Sequence, residues 1–121
     1  MASSDFKKYD ENNIFAKILK KEIPSNILLE NDYFIAINDI NPQAKIHILI
    51  ISKNKHVNFI DFSEKNSNIT ENSIKEMAGF VDIINKIKTL KKLEDGFKIV
   101  INNGKKGGQE IAHFHTHILC D

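Results

Sequence analysis

Apolar residues recur at helical spacing in two stretches of the chain, one short and one long. The short stretch lies between Asn12 or Asn13, either of which can cap the first turn of a helix, and Pro24, which cannot continue one. Its apolar stripe consists of Ile14, Phe15, Ile18 and Leu19. The long stretch follows a capping Thr70, and Asp95-Gly96 marks its end. Its apolar stripe, which the pattern assigns to the core or to a subunit interface, consists of Ile74, Met77, Ala78, Val81, Ile84, Ile87 and Leu90.

Several other stretches alternate between apolar and polar residues or run apolar for a few residues, which is typical of strands. The first two are separated only by Asn31 and Asp32, residues that tolerate the backbone of a tight turn, so they predict a hairpin. The third is apolar at nearly every position and is predicted to be a central strand buried on both faces. In chain order the predicted strands are Ile27 to Glu30, Tyr33 to Ile37, Ile46 to Ile51, Phe97 to Ile101 and His113 to Leu119.

The order of these elements predicts an α+β fold with a mostly antiparallel sheet of about five strands, one short helix and one long helix. Before the long helix, Asp61 to Asn72 is polar and rich in Ser and Asn, and we expect a loop there. Neither a repeat nor a linker divides the chain, so residues 1–121 are expected to form a single domain that begins with a flexible N-terminal segment, residues 1–11.

Composition and charge narrow the class of protein. With 41% hydrophobic and 27% charged residues the chain resembles a soluble domain, and its longest apolar run, 46–51, is too short to cross a bilayer. Residues 1–11 lack the features of a signal peptide, and the single cysteine, Cys120, fits a reducing compartment, so we expect a cytoplasmic protein. The formal net charge is +1 with acids and bases interspersed, which argues against nucleic-acid binding.

Three histidines alternate with other residues near the carboxyl end of the chain. If this segment is extended, His113, His115 and His117 project from one face of a strand and the intervening residues from the other. If three imidazoles on one face were buried by packing alone, each polar ring would need hydrogen-bond partners. The pattern therefore favours a functional site over simple packing. Two kinds of site fit the pattern, a metal centre and a site for chemistry on phosphorus.

Strand geometry limits the metal alternative. At about 3.3 Å per residue, the β-carbons of His113 and His117 are roughly 13 Å apart, whereas two imidazoles bound to one zinc ion span at most about 11 Å. All three histidines therefore cannot bind one ion from a regular strand. A site with two of them, completed by Asp39, Glu110 or His47, stays open at this point.

The segment just before the histidines supports the phosphate alternative. Asn102 to Glu110 contains Gly104, Gly107 and Gly108, which let the backbone approach a ligand closely and direct amide hydrogens at phosphate oxygens. Glycine-rich turns are common, so this loop alone is weak evidence. Next to the histidine strand, the same loop predicts a phosphate cradle.

A neutral imidazole has a free ring nitrogen, and with an unperturbed pKa of about 6.5 most histidines are neutral in the cytosol. Such a nitrogen can attack phosphorus without a separate base and form a covalent nucleotidyl-histidine, which water then hydrolyses. The central residue, His115, is the best candidate, because histidines on both sides can hold its tautomer and contact the phosphate oxygens.

The pattern His113-x-His115-x-His117, followed by the apolar Ile118 and Leu119, resembles the signature of the histidine triad (HIT) family. The resemblance implies the HIT fold and a nucleoside phosphoramidase or related nucleotide hydrolase. It also implies a homodimer that prefers purine nucleotides and requires no metal or other cofactor. Further segments resemble the Hint branch in the same order, covering about residues 12–119: Ile14 to Ile18, Lys21 to Pro24, Asp39 to Ala44, His47, Asn102 and Gly107 to Gln109.

Residue roles follow from the resemblance by position. It implies that His115 is the nucleophile, that His117 contacts the phosphate or the leaving group, and that the backbone of His113 helps to orient the nucleophile. It also implies that Asp39 binds the ribose hydroxyls and that His47 lies nearby. The remaining residues implied to bind the nucleotide are Phe15 and Ile40 at the base, Asn102 near the phosphate and leaving group, and Gly108, Gln109 and Glu110 in the phosphate loop.

The chain departs from the family pattern in the phosphate loop. Some relatives have a serine where this chain has Glu110, and a carboxylate there repels an anion, so we expect only its backbone amide to be useful. The given chain also ends at Asp121, short of an extension found in some relatives, which leaves the leaving-group preference open.

Two other functions fit the same residues. Hydrolysis of dinucleoside polyphosphates, the activity of a sister branch, is the alternative reaction, since the same nucleophile can expel a nucleotide instead of an amine. A nucleotide-binding or partner-binding module with incidental turnover is the alternative class of protein. The segments that resemble the Hint branch favour the phosphoramidase.

Overall fold

The chain folds into five strands and three helices over residues 8–121, the part that the structure, a computed structural model, describes. Residues 1–7 of the segment predicted to be flexible lie outside this part. In chain order the elements are α1 (Ile14–Leu19), β1 (Ile27–Glu30), β2 (Phe34–Asn38), β3 (Ile46–Ser52), α2 (Phe59–Lys65), α3 (Glu71–Lys91), β4 (Lys98–Val100), a 3₁₀ turn (Lys105–Gly107) and β5 (His115–Cys120). The strands pair antiparallel in the order β1-β2-β3-β5-β4. The predicted α+β fold with a five-stranded antiparallel sheet is therefore confirmed.

Strand β3 lies at the centre of the sheet, as its nearly unbroken apolar sequence predicts. Six of its seven residues are buried, and it pairs with β2 on one side and with β5 on the other. Its side chains alternate between two cores. Ile48 and Ile50 face the larger core, which α2 and α3 cover, while Leu49 and Ile51 face a smaller core beside α1.

The same alternation sorts the residues of β5 between the two faces of the sheet. Phe114, just before the strand, and Ile118 lie in the larger core, where the Phe114 ring stacks on Phe62 of α2 with centroids 4.8 Å apart. His115 and His117 project to the opposite face, toward α1. The period of the strand therefore places these two imidazoles on the face that, within residues 8–121, α1 covers.

Strand β5 begins at His115, two residues later than the sequence predicts. The Phe114 amide donates at 2.8 Å to the carbonyl of His56, in the loop after β3, and the His113 amide donates at 2.8 Å to the carbonyl of Ile111. Both amides therefore have partners outside the sheet. His113 is positioned by loop contacts instead of by the strand ladder.

The sequence predicts a loop over Asp61 to Asn72, and this prediction is wrong at both ends, since Asp61 to Lys65 belong to α2 and Glu71 and Asn72 to α3. The side chain of Asn58 caps α2 by accepting a hydrogen bond from the Asp61 amide at 2.8 Å. Phe62 is its buried contact with the core, whereas residues 63–65 are exposed. A helix of seven residues with one buried position offers too few apolar repeats for a period to show. The fold thus has two short helices and one long helix, not one of each.

Helix α3 begins where the sequence predicts and ends earlier. Thr70 and Ser73 form a capping box, in which each side-chain oxygen accepts the other's backbone amide. The helix stops before Asp95-Gly96, because Lys92 adopts a left-handed backbone with φ of 56° and Leu93 turns into the core. No helix within residues 8–121, α3 included, is long and apolar enough to cross a bilayer.

Helix α3 packs one face on the core and leaves other apolar residues exposed. Gly79, Ile83 and Ile87 pack toward the sheet. By contrast, Ile74 and Val81 are 51% and 57% exposed. The stripe that the sequence assigns to the core or to an interface is therefore only partly used inside this chain.

We expect Asn58→Ala to lower the free energy of unfolding by about 1 kcal/mol, because the Asp61 amide at the start of α2 loses its cap. Asn68→Ala is the matched control, since its side chain is exposed and lies between helices; it should cost less than about 0.5 kcal/mol. Urea denaturation followed by circular dichroism measures both variants. Equal stability of the two would contradict the capping role of Asn58.

Candidate active site

A pocket of about 640 Å³ opens on the α1 face of the sheet, beside β3 and β5. This volume is in the range of small-molecule sites. Ten of the eleven predicted site residues line it, and His113 is the exception. Its apolar side includes Ile14, Phe15, Ile18, Ile23, Pro24, Ile37, Ile40, Leu49 and Ile111. Its polar side includes Asp39, His47, Asn102, Gly108, Gln109, Glu110, His115 and His117.

His113 lies behind the pocket and not on its wall. It is fully buried, and its Nε2 donates a hydrogen bond to the carbonyl of Ser52 at 2.7 Å. Burial lowers the pKa of His113 from 6.5 to about 4, so the ring is neutral. The ring of His113 lies on the α1 side of the sheet, 5.8 Å from the ring of Phe15, which also contacts His115, but of the three histidines only His115 and His117 line the pocket.

The ring of His115 is held in one tautomer by the backbone. Its Nδ1 lies 2.6 Å from the carbonyl oxygen of His113. A carbonyl can only accept, so Nδ1 carries the proton and Nε2 keeps its lone pair. Phe15 packs on the ring with centroids 4.7 Å apart. Burial lowers the pKa of His115 below its usual value, against the hydrogen bond to His113, so this nitrogen is unprotonated at neutral pH.

A second backbone group sets the tautomer of His117 through His47. The amide of Gln43 donates to Nδ1 of His47 at 3.0 Å, so His47 carries its proton on Nε2. That Nε2 donates to Nδ1 of His117 at 2.9 Å and lies 3.3 Å from a carboxylate oxygen of Asp39. His117 is therefore protonated on Nε2. Burial, then the neighbouring His115 and His47, lower its pKa to about 4.

The two pocket histidines thus differ in the protonation of Nε2, so one can accept a hydrogen bond or attack a ligand there and the other can donate. His115 has a lone pair on Nε2, and His117 has an N–H on Nε2. Their ring centroids are 5.3 Å apart. One ligand group can therefore be attacked by the first ring while the second donates a hydrogen bond to it.

Asp39 lies at the junction of the apolar and polar sides of the pocket. One carboxylate oxygen accepts the amide of Asn41 at 2.8 Å, and the other lies beside His47. An ionised carboxylate has about four acceptor positions, so positions remain for a ligand's hydroxyls. Asp39 can therefore accept further hydrogen bonds from a ligand.

The glycine-bordered loop is held together mainly by Gln109. This buried side chain accepts the Gly104 amide at 2.8 Å and donates to the carbonyls of Val57 and Ile111 at 2.7 and 2.8 Å. Gly104 and Gly108 have φ of 74° and 85°, which favour glycine. The side chain of Gln109 therefore shapes the loop instead of facing a ligand.

Several backbone amides of this loop donate hydrogen bonds within the turn itself. The amides of Gly108 and Gln109 donate to the carbonyls of Lys105 and Gly104, at 3.0 and 3.1 Å. Within residues 8–121 the amide of Glu110 has no such partner. The turn therefore uses the amides of Gly108 and Gln109 itself, whereas the amide of Glu110, the residue whose side chain departs from the family pattern, can donate to a phosphate oxygen.

The electrostatics of the pocket are unusual for a site that is predicted to take a phosphate. In the described part of the chain, no lysine or arginine lines it. Asp39 and Glu110 supply carboxylates, and both raise the pKa of His115, though less than burial lowers it. The pocket is therefore negative to neutral, and its attraction for a phosphate must come from N–H groups.

One group in the pocket has donor atoms close enough to hold a metal ion. Asp39, His47 and His117 have ligand atoms within 4.8 Å of one another. A histidine that binds a metal through Nε2 must carry its proton on Nδ1, and it normally donates that proton to an acceptor. Here Nδ1 of His47 faces the amide of Gln43, which is itself a donor. Two donors would then face each other, so this geometry disfavours a metal bound by His47.

Three contacts that shape the site were missed by sequence reasoning. They are the amide of Gln43, the carbonyl of Ser52 and the hydroxyl of Tyr9, which lies 2.7 Å from Nδ1 of His113. The first two are backbone groups, which every residue offers, so no side-chain pattern reveals them. Tyr9 lies in a polar segment with no periodic apolar neighbour, and the segment was interpreted as flexible.

A neutral imidazole with a free nitrogen, a neighbouring imidazole that donates, and a glycine-bordered loop in one pocket are typical of small α+β proteins with a histidine site for phosphate chemistry. A family model described as HIT domain matches residues 20–121, and the chain belongs to this family. The chain is 41% identical over 111 residues to the 14 kDa zinc-binding protein of Zea mays, a match that covers 91% of this chain and 82% of that protein.

Solved structures agree with the family assignment. A histidine triad protein from Clostridium difficile superposes with a TM-score of 0.77 and 36% identity, covering 94% of both chains. A HIT family hydrolase from Clostridium thermocellum gives a TM-score of 0.76 and 34% identity, covering 93% of this chain and 92% of that one. The protein therefore has the fold of HIT family hydrolases.

We expect His115 and His117 to be neutral at pH 7, with the proton on Nδ1 of the first and on Nε2 of the second. Because both pKa values are lowered from 6.5, the rings take up a second proton only at more acidic pH. Nitrogen-15 NMR of the imidazoles, recorded from pH 8 downward, distinguishes the two tautomers and the protonated ring. The same tautomer on both rings, or protonation above pH 6.5, would contradict the hydrogen-bond assignment.

Proposed function

We propose that this protein hydrolyses nucleoside 5′-phosphoramidates, such as adenosine 5′-monophosphoramidate, to the nucleoside monophosphate and an amine, and that it belongs to the Hint-like branch of its family. The reaction passes through a nucleotidyl-histidine on His115. The observation that carries the proposal is the 2.6 Å hydrogen bond from His115 Nδ1 to the His113 carbonyl. This hydrogen bond places the ring proton on Nδ1, so the lone pair on Nε2 can attack phosphorus.

In this proposal, each part of a nucleotide contacts a different part of the pocket. The purine base packs against the apolar side, next to Phe15 and Ile40; Ile40 is 86% exposed, so a bound base would remove apolar surface from water. Asp39 accepts the ribose hydroxyls. The phosphate lies between the side chain of Asn102 and the amide of Glu110, within reach of His115.

The proposed chemistry has two displacements at phosphorus. In the first, the Nε2 lone pair of His115 forms a bond to phosphorus while the phosphorus–nitrogen bond of the substrate breaks. The amine leaves with that bonding pair and takes a proton from water. In the second, a water molecule attacks phosphorus and loses a proton to solvent, and the bond to Nε2 breaks with its electron pair returned to the imidazole. The net reaction adds one water across the phosphoramidate bond.

His117 and His47 support both displacements in this proposal. The Nε2–H of His117 donates to a phosphate oxygen, or to the leaving nitrogen, as negative charge develops there. His47 keeps His117 in that tautomer, because its own Nε2–H occupies Nδ1 of His117 at 2.9 Å. His113 acts through its carbonyl and not through its ring.

Charge favours the phosphoramidate over a dinucleoside polyphosphate. A polyphosphate brings several negative charges, whereas a nucleoside phosphoramidate brings about one. No lysine or arginine in the described chain lines the pocket, and Asp39 and Glu110 add negative charge. Like charges repel strongly where water is partly excluded, so the substrate with fewer charges should bind better.

We expect wild-type protein to release AMP from adenosine 5′-monophosphoramidate with a higher kcat/KM than from diadenosine tetraphosphate. His115→Ala should lower kcat by at least about a thousandfold, because it removes the nucleophile. It should still bind AMP, since the base and ribose contacts remain. Cys120→Ser, outside the pocket, is the control and should keep full activity. Chromatography of the products and calorimetry of AMP binding provide the measurements.

Each alternative function has its own outcome in that experiment. Faster turnover of the polyphosphate would assign the sister activity. Binding of AMP without turnover of either substrate would assign a nucleotide-binding module. Activity that is lost on chelation and restored by zinc would assign a metal enzyme, an outcome of interest because the maize relative is named a zinc-binding protein.

We further propose that the protein acts as a cytoplasmic homodimer. The outer face of α3 supports a partner, since Ile74 and Val81 are about half exposed there, and β4, with Ile99 49% exposed, is an edge strand of the sheet. A free edge strand and an apolar helix face are typical of self-association. The free thiol of Cys120 supports a reducing compartment.

We expect sedimentation velocity to give a species of twice 13.8 kDa. Val81→Glu, in the middle of the exposed face of α3, should shift the protein toward the monomer, because a charge would have to be buried at the interface. Lys92→Glu, beyond the end of that helix, is the control for added charge. A wild-type protein that sediments as a monomer at micromolar concentration would overturn the dimer.

A further inference from the structure

Tyr9 contacts the site from a segment that precedes α1 and the region matched by the family model. Its hydroxyl lies 2.7 Å from Nδ1 of His113, and the two rings pack with centroids 5.3 Å apart. Neither Tyr9 nor His113 lines the pocket. Since Tyr9 contacts His113 and not the pocket wall, its effect on the reaction is expected to pass through His113.

The direction of this hydrogen bond follows from the other end of the imidazole. Nε2 of His113 faces the carbonyl of Ser52 at 2.7 Å, so Nε2 carries the proton. The neutral ring then has its lone pair on Nδ1, and the hydroxyl of Tyr9 must donate to it. Burial raises the pKa of Tyr9 above its usual value, so the phenol keeps its proton at neutral pH. Both nitrogens of a fully buried ring are thus satisfied.

The segment that carries Tyr9 is tied to the rest of the protein. Glu11 forms a 2.6 Å ion pair with Lys55, in the loop that follows β3, and its carbonyl accepts the ammonium of Lys20 at 3.1 Å. The carboxylate of Asp10 accepts the amide of Asn12 at 2.9 Å. Tyr9 is therefore delivered by a folded turn and not by a loose chain end.

We propose that Tyr9 is a positioning residue for His115, which it orients by fixing His113. The hydroxyl of Tyr9 and the carbonyl of Ser52 hold the His113 ring at both nitrogens, and the carbonyl of the same residue holds Nδ1 of His115 at 2.6 Å. Without the hydroxyl, the buried lone pair on Nδ1 of His113 has no hydrogen-bond donor. His113 then shifts to a position in which Nδ1 finds another donor. Its carbonyl then moves, and the lone pair of His115 loses its alignment with phosphorus. The inference rests on the proposed function for its effect on rate.

The test compares Tyr9→Phe, which removes one oxygen, with Tyr33→Phe, the same change at a tyrosine that packs on Gly79 far from the pocket. For Tyr9→Phe we expect kcat for adenosine 5′-monophosphoramidate to fall about three- to tenfold, the effect of one hydrogen bond, with KM unchanged. Nitrogen-15 NMR should show His113 distributed over two tautomers and shifted signals for His115. Tyr33→Phe should leave kcat and both sets of signals as in wild type.

Other outcomes overturn the proposal. A purely structural Tyr9 would lower the midpoint of urea denaturation while folded Tyr9→Phe keeps its kcat and its His115 signals. A rise in KM alone would place Tyr9 in substrate binding instead. If the wild-type protein turns over no phosphoramidate, the proposed function fails, and the NMR comparison, which needs no substrate, still decides whether Tyr9 positions His115.

Discussion

The site depends on one short hydrogen bond, from Nδ1 of His115 to the carbonyl of His113 at 2.6 Å. On a regular strand, the carbonyl of His113 would not meet the ring of His115, two residues later. That carbonyl would instead accept a hydrogen bond from the neighbouring strand. The carbonyl and the ring meet because β5 starts only at His115, while the amide of Phe114 turns away to the carbonyl of His56. The end of a strand is therefore part of the active-site geometry.

Backbone groups also set the tautomers of the other rings. The amide of Gln43 fixes His47, which fixes His117, and the carbonyl of Ser52 fixes His113. Backbone groups held by the central strand and its flanking loops move less than long side chains do. Two adjacent imidazoles can thus present a lone pair and a proton at equivalent positions, although they are chemically the same group.

Strand alternation and motif order suffice to bring His115, His117, Asp39 and the glycine loop into one predicted pocket, and the sheet follows from the same pattern. The backbone partners of the rings are not predictable in this way, because every residue offers an amide or a carbonyl. Helix α2 was missed because one buried residue, Phe62, shows no period. Nor does the sequence show that the turn itself uses the amides of Gly108 and Gln109.

A site built on neutral histidines lacks the positive charge that commonly binds phosphate. Protonation would add positive charge but would remove the lone pair that His115 needs in the proposed reaction, and burial lowers the pKa of His115. With Asp39 and Glu110 present and no lysine or arginine on the described walls, a phosphate bound as proposed would depend on N–H dipoles. The energy of a dipole depends on its direction as well as its distance, so small rotations weaken it more than they weaken an ion pair. Hydrogen bonds behind the pocket, which fix these directions, therefore matter more here than in a site that attracts its substrate by charge.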